Sequence, residues 1–346
     1  MHNFDKRFTT SDGDTYAYDY IPAKDNKETF LFIHGCPSSR YDWRYQFKDL
    51  SDAGYGVIAP DCLGYGDSDK RADLEAYNLK RLSGHFIELL DHEKIDKVIG
   101  VSHDWGSMVM SRVVVWHPER FSKLVFMSAG YTAPGVFFDI DGLNVWSQKE
   151  LGYMQLGYWY FFNSYDAERV ILDHLESFFH LAYADDNALW ITGLAAINGT
   201  REWLTSDKTC PLPPFLTEQD KTRWLEINRR KDTIKGLLNY YRSLMRGIQA
   251  EDEDPLTDEQ RTLKVPVLGI CGGGDMVTRA DQIGRGITPY AIKGYKEVVL
   301  EGAGHWIMLE RRAEVTNALL EFVHEDSSRT AGLQYWLPSR HVDREE

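Results

Sequence analysis

The stretch Val98-Ile-Gly-Val-Ser-His-Asp-Trp-Gly-Ser-Met-Val-Met-Ser-Arg112 decides how this chain folds. It opens as an apolar, β-branched run, the pattern of a strand buried on both faces. It closes with Met108, Val109, Val113 and Val114 at helical spacing. Between the halves stand Ser102, His103, Asp104, Trp105 and Gly106, with small residues two places before and after Asp104. A strand that turns directly into a helix admits only small side chains around its apex. The stretch therefore predicts an elbow that presents Asp104 at the end of a strand. The apex residue sets the chemistry. A hydroxyl nucleophile needs a base to remove its proton. A carboxylate is already ionised at neutral pH and can displace a leaving group at saturated carbon, becoming an ester itself.

Strand and helix signals alternate on both sides of the elbow. Residues 7–20 read as two strands around a Ser-Asp-Gly turn. Residues 29–33, 55–59 and 123–127 are short apolar runs of the buried-strand type. Ser38 and Ser39 offer caps for a helix running to about residue 53, closed by Gly54. Leu79, Leu82, Phe86, Leu89 and Leu90 share one face of a helix over 77–93. This rhythm predicts a mostly parallel sheet flanked by helices. It breaks at Pro134. From there to residue 255 only helical patterns and aromatics appear, among them five of the ten tryptophans. It resumes with strands at 265–270 and 297–300 and a helix over 312–324. The expected fold is α/β, with residues 1–133 and 256–346 forming the core and 134–255 a helical lid. The tail 327–346 reads as polar and extended over the surface.

The formal net charge of −14 argues against a nucleic-acid partner, because phosphate binding needs clustered Lys and Arg. The four cysteines, Cys36, Cys62, Cys210 and Cys271, form no CxxC pair and no zinc-ligand spacing. The first residues lack the apolar segment of a signal peptide, and no apolar run reaches membrane-spanning length. These features predict a cytoplasmic protein with free thiols, no cofactor and no metal.

Function in parallel sheets collects at the carboxyl ends of strands. Three titratable residues fall there in the order nucleophile, acid, histidine: Asp104, then Asp275 after Cys271-Gly-Gly-Gly, then His305 after Gly302-Ala-Gly. Each alone reads as a turn or cap residue; the ordered set reads as a triad. Residues 128–131, after the preceding strand, hold no carboxylate, which favours Asp275 as the acid. His305 would take a proton from water attacking the ester on Asp104, and Asp275 would hold the imidazole. The oxyanion formed on Asp104 needs donors, and the backbone N–H groups of Cys36 and Trp105 are in place to supply them. The Trp105 ring would wall an apolar pocket, and His103 has no catalytic task.

His34-Gly-Cys-Pro37, Val57-Ile-Ala-Pro-Asp61 with Gly64-Tyr-Gly-Asp-Ser-Asp69, and His103-Asp-Trp-Gly106 together resemble the epoxide hydrolases of the α/β-hydrolase superfamily. His117-Pro-Glu-Arg120 and the segment from Gly304-His-Trp306 to Glu310 are similar to that family as well. Ser102 departs from the Gly usual in the family. The resemblance implies two lid tyrosines that protonate the epoxide oxygen. Gly236-Leu-Leu-Asn-Tyr-Tyr-Arg242 resembles the later tyrosine's motif and nominates Tyr241. Gly157-Tyr-Trp-Tyr-Phe-Phe162, followed by Ala167-Glu168, nominates Tyr158, with Tyr160 as the alternative. The substrates implied are a small apolar epoxide and water, the product a vicinal diol. Haloalkane dehalogenases share the elbow and stay open as a second reading, with Trp159 as a halide donor and pocket wall. Cys36 occupies the place of one dehalogenase group's halide-binding Asn and cannot replace it. A binding protein on the same fold is a third reading, which the complete triad disfavours.

Overall fold

The computed structural model describes residues 5–136 and 138–325. The predicted polar tail, 327–346, lies outside them. Eight strands form one sheet in the order β1-β2-β4-β3-β5-β6-β7-β8. They are β1 (Asp5–Thr9), β2 (Thr15–Ile21), β3 (Thr29–Ile33), β4 (Gly56–Pro60), β5 (Val98–His103), β6 (Phe121–Met127), β7 (Val267–Gly272) and β8 (Tyr295–Leu300). β2 runs antiparallel to β1 and β4; the pairs from β4 to β8 are parallel. β3, β4 and β5 are buried along their whole length, which is why each reads as a continuous apolar run rather than an alternation. β8 is the edge strand on the parallel side, half-buried, and carries Tyr295, Lys296 and Glu297.

Helices α1 (Arg44–Asp52), α2 (Leu79–His92) and α3 (Trp105–Trp116) connect the parallel strands. The helix expected from Ser38 or Ser39 begins as a 3-10 turn, Arg40–Trp43, capped by the Ser39 side chain, before α1 takes over. α2 starts later than residue 77, because Asn78 stands in extended conformation and its side chain accepts from the Arg81 N–H. The strand expected from residue 265 starts at Val267. Pro266 has no N–H to give the ladder, although its carbonyl accepts from Leu124 N.

Between β6 and β7 the chain is helical: α4 (Ile140–Leu151), α5 (Tyr158–Asn163), α6 (Ala167–Asp173), α7 (Leu175–Ala182), α8 (Asn187–Leu189), a π-helical turn over Trp190–Ala195, α9 (Gly199–Thr205), α10 (Glu218–Asn228), α11 (Thr233–Met245) and α12 (Ala250–Glu253). After β7 come α13 (Ala280–Ile287), α14 (Ile307–Glu310) and α15 (Arg312–His324). No helix among the described residues is long and apolar enough to cross a membrane.

One buried ion pair ties both crossings of the helical insert to the sheet. Arg112 on α3 donates from Nε and Nη2 to the two carboxylate oxygens of Glu253, at 2.8 Å each. Its Nη1 donates to the Thr132 carbonyl at 3.0 Å, and Gly135 N–H donates to Glu253 at 2.8 Å. Arg112 thus holds the outgoing chain at Thr132 and the returning chain at Glu253. Both side chains are almost fully buried. Removing one partner strands the other charge, so Glu253→Ala is expected to lose about 3–5 kcal/mol of stability. Chemical denaturation reads this directly, and a loss below about 1 kcal/mol would mean that the pair does not hold the crossings.

Candidate active site

Asp104 follows β5 and precedes α3 with φ 52° and ψ −123°, a conformation that residues with a Cβ rarely adopt. Its neighbours make room for it. A Cβ on Gly106 would meet the Ile33 carbonyl oxygen at 2.2 Å, and one on Gly35 would meet Asp104 Oδ1 at 2.4 Å. Ser102 stands where the resemblance expects Gly, fully buried, its hydroxyl 3.2 Å from both Ser107 Oγ and the Val125 carbonyl. Its polar group is satisfied, so the departure from Gly leaves the elbow intact.

The carboxylate is held at one oxygen and open at the other. Cys36 N–H donates to Asp104 Oδ1 at 2.7 Å, and the Trp105 N–H also serves this carboxylate. Oδ2 lies 3.7 Å from His305 Nε2. On the far side of the ring, His305 Nδ1 is 2.6 Å from Asp275 Oδ2. Asp275 also accepts the N–H groups of Val277 and Thr278 at 2.9 Å each, and the Thr278 hydroxyl. The His305 carbonyl accepts from Ser128 Oγ at 2.8 Å and stands 2.9 Å from His103 Nε2. His103 therefore supports the histidine loop from beneath and does not reach the cavity side.

The two nominated tyrosines come to the same place. In the Gly236–Arg242 motif four residues have separate tasks. Gly236 packs against Gly64, where a Cβ would meet the Gly64 Cα at 2.6 Å, so α11 lies directly on the loop after β4. Tyr240 donates to the Leu63 carbonyl at 2.9 Å. Tyr241 turns inward and packs edge-to-face on Trp105 and Trp159, with ring centroids 4.8 Å apart in both cases. Arg242 donates to the Phe162 and Ser164 carbonyls at the end of α5, fixing the helix that carries Tyr158. Tyr158 and Tyr241 rings lie 5.9 Å apart. Tyr160, the alternative, is 36% exposed and gives its hydroxyl to Asp141, away from Asp104.

Residues 28–312 match the alpha/beta hydrolase fold family. The chain is 30% identical to "Epoxide hydrolase 2" of Siraitia grosvenorii, over 85% of its own length and 90% of the relative's. It is 29% identical to "Epoxide hydrolase A" of Mycobacterium tuberculosis, over 85% and 89%. The crystal structure of Epoxide Hydrolase A from Mycobacterium thermoresistibile superimposes with a TM-score of 0.72 at 25% identity, covering 92% of this chain and 97% of that one. The chain belongs to the epoxide hydrolases of the α/β-hydrolase fold.

The candidate site has two compartments that meet at Asp104. The larger is a cavity of about 260 Å³ between the insert and the sheet, lined by Asp104, Trp105, Met108, Phe138, Tyr158, Trp159 and Ile283 among others. The smaller, about 30 Å³, is lined by Asp104, His305, Tyr241, Cys36 and Trp190 among others, and Tyr158 borders both. Burial penalises charge on Asp104 more than His305 and the N–H donors offset it, so its pKa is raised. Asp275 is buried more completely, but His305 and Thr278 more than compensate and hold it below the usual carboxylate value. For His305 burial disfavours the cation, and Asp275 with Asp104 outweighs that, leaving a raised pKa. Burial, reinforced by the Asp104 charge, lifts both Tyr158 and Tyr241 well above ordinary tyrosines, so both stay protonated donors.

Several residues of this site carry no strong mark in the sequence. Thr278 is the clearest case: a hydroxyl shortly after a strand-end Asp has a turn-forming reading that fits any loop. Helix α13, which closes the large cavity with Gln282 and Ile283, was not expected. Among the described residues one cluster has the make-up of a metal site, Asp12, Asp14 and His85, but Arg81 bridges both aspartates at 2.7 and 2.6 Å. Arg71 pairs with Asp14 as well, at 3.1 Å, so two guanidinium groups face the two carboxylates.

Proposed function

We propose that this enzyme hydrolyses an apolar epoxide to a vicinal diol through an alkyl ester on Asp104. Residues 134–255 act as the lid that carries the proton donors. Asp104 Oδ2 attacks a ring carbon while Tyr158 and Tyr241 donate to the ring oxygen, one of them passing its proton as the C–O bond breaks. Water, deprotonated by His305, then adds to the Asp104 carboxyl carbon. The oxyanion gathers on Oδ1 between the N–H groups of Cys36 and Trp105. Collapse breaks the ester C–O bond and frees the diol. The proton released by ester hydrolysis restores the tyrosine.

One observation carries the reading. Asp104 borders both compartments, and each holds its own share of the chemistry: an apolar cavity with a neutral tyrosine on one side, the paired histidine on the other. The lining of the larger cavity, rich in aromatic and aliphatic side chains, matches an apolar substrate. A dehalogenase reading draws on Trp159, whose indole N–H is buried and whose side chain lines the large cavity. Incubation with styrene oxide and, separately, with a bromoalkane decides between them. Diol without bromide supports the epoxide reading; bromide release at comparable rates sinks it.

A further inference from the structure

Ester hydrolysis requires a water molecule fixed between His305 and the Asp104 carboxyl carbon. The small compartment has the size for it. At about 30 Å³ it exceeds what one water needs, and Asp104 and His305 both border it. A fixed water also needs partners of both kinds, two to four in number. His305 Nε2 can accept its proton. Its oxygen must keep one lone pair for attack and can accept a hydrogen bond on the other.

Trp190 borders this compartment with an indole donor that the protein does not use. It is buried, opens the π-helical turn Trp190–Ala195 and lines the small compartment. Its ring centroid is 5.0 Å from that of His305, at a 40° tilt. Its indole N–H is buried and finds no acceptor in the protein. A donor left in this way costs stability unless something outside the protein chain uses it. Trp306, Trp224 and Trp203 give their indole N–H groups to the Ala182, Pro37 and Ser177 carbonyls, and Trp159, whose indole N–H is also buried, lines the large cavity and not the small compartment.

We propose that Trp190 is a positioning residue for the hydrolytic water: its indole N–H holds the water oxygen while His305 Nε2 takes the proton. This rests on the ester mechanism proposed above. The step is then balanced. One water O–H bond breaks toward His305, the oxygen bonds to the Asp104 carboxyl carbon, and the ester C–O bond breaks as the second water proton passes to the departing alkoxide oxygen, which releases the diol and leaves Asp104 ionised. Because Trp190 is on the lid and Asp104 on the sheet, the hydrolytic water is fully partnered only with the lid seated. Alkylation does not use this bond.

Single-turnover reaction of styrene oxide with the full-length enzyme tests this by resolving two rates, ester formation by protein mass and ester loss by diol release. Trp190→Phe keeps an aromatic ring against His305 and removes the N–H. Ester loss is expected to slow about tenfold, with ester formation within about twofold, so that alkylated enzyme appears at steady state. Replacing the same indole by its benzothiophene isostere, which lacks only the N–H, should reproduce the effect without altering packing. Equal slowing of both rates in the isostere, or an unchanged rate of ester loss, would overturn the proposal. Absence of any ester in both the unmodified enzyme and His305→Gln would remove the Asp104 mechanism beneath it.

Discussion

His305→Gln is expected to stop the enzyme halfway, with ester on Asp104 approaching one equivalent and diol formation falling about 10³-fold. The reason is that the two steps make opposite demands on the histidine. Alkylation needs only an ionised Asp104 and a protonated leaving oxygen. Hydrolysis needs a free base at Nε2. In the resting enzyme the Asp275 and Asp104 charges hold the His305 pKa up against burial. Esterification turns Asp104 neutral and withdraws one of those two supports. The imidazole pKa therefore falls when the ester forms, and the base becomes available for the step that uses it. The variant has a second signature. His305 lowers the pKa of Asp104, which burial raises. Without it the carboxylate protonates at higher pH, so the acid limb of the alkylation rate should move upward. Intact-protein mass across a pH series measures both effects. Undiminished diol formation, or an acid limb that moves downward, would contradict this account.

What could be read from the sequence follows the range of the interactions. The elbow was legible because its pattern lies within one short segment, Gly106 two residues from Asp104, although the atom that forbids a Cβ there is the distant Ile33 carbonyl oxygen on β3. The convergence of Asp104, Asp275 and His305 was legible because each follows the end of a strand, and parallel strands bring their ends to one edge. Tyr241 was legible only because its neighbours have separate structural duties, Gly236 against Gly64 and Arg242 against the α5 carbonyls. The choice between Tyr158 and Tyr160 was not. The two tyrosines are adjacent but one on a helix, and only the packing of α5 turns the first toward Asp104 and the second toward Asp141. The same holds for Arg112 and Glu253, whose bond spans 141 residues, and for Trp190, whose sequence neighbours give no sign that His305 lies beside it.

The tyrosine variants should fail in the other half of the cycle. Tyr158→Phe or Tyr241→Phe is expected to slow alkylation about 10²-fold, the usual cost of one lost donor to a developing oxyanion. The double variant should lose at least about 10⁴-fold, because an epoxide then has to release an alkoxide with no donor at all. Neither hydroxyl is needed once the ester exists, so no ester should accumulate in these variants. Both phenols are protonated throughout the ordinary range, since burial and the Asp104 charge put their pKa values well above the usual one. The alkaline limb of kcat/KM should accordingly lie above about pH 10. Tyr160→Phe is the control, because its hydroxyl is spent on Asp141 at the surface. Its alkylation rate should match the unmodified enzyme. If Tyr160→Phe slowed alkylation and Tyr158→Phe did not, the assignment of the first donor would be reversed. If the double variant retained the rate of either single one, the two phenols would not be sharing one oxygen. The steady-state ester thus separates the roles: high without His305, absent without the tyrosines, each the mark of a different half of the site.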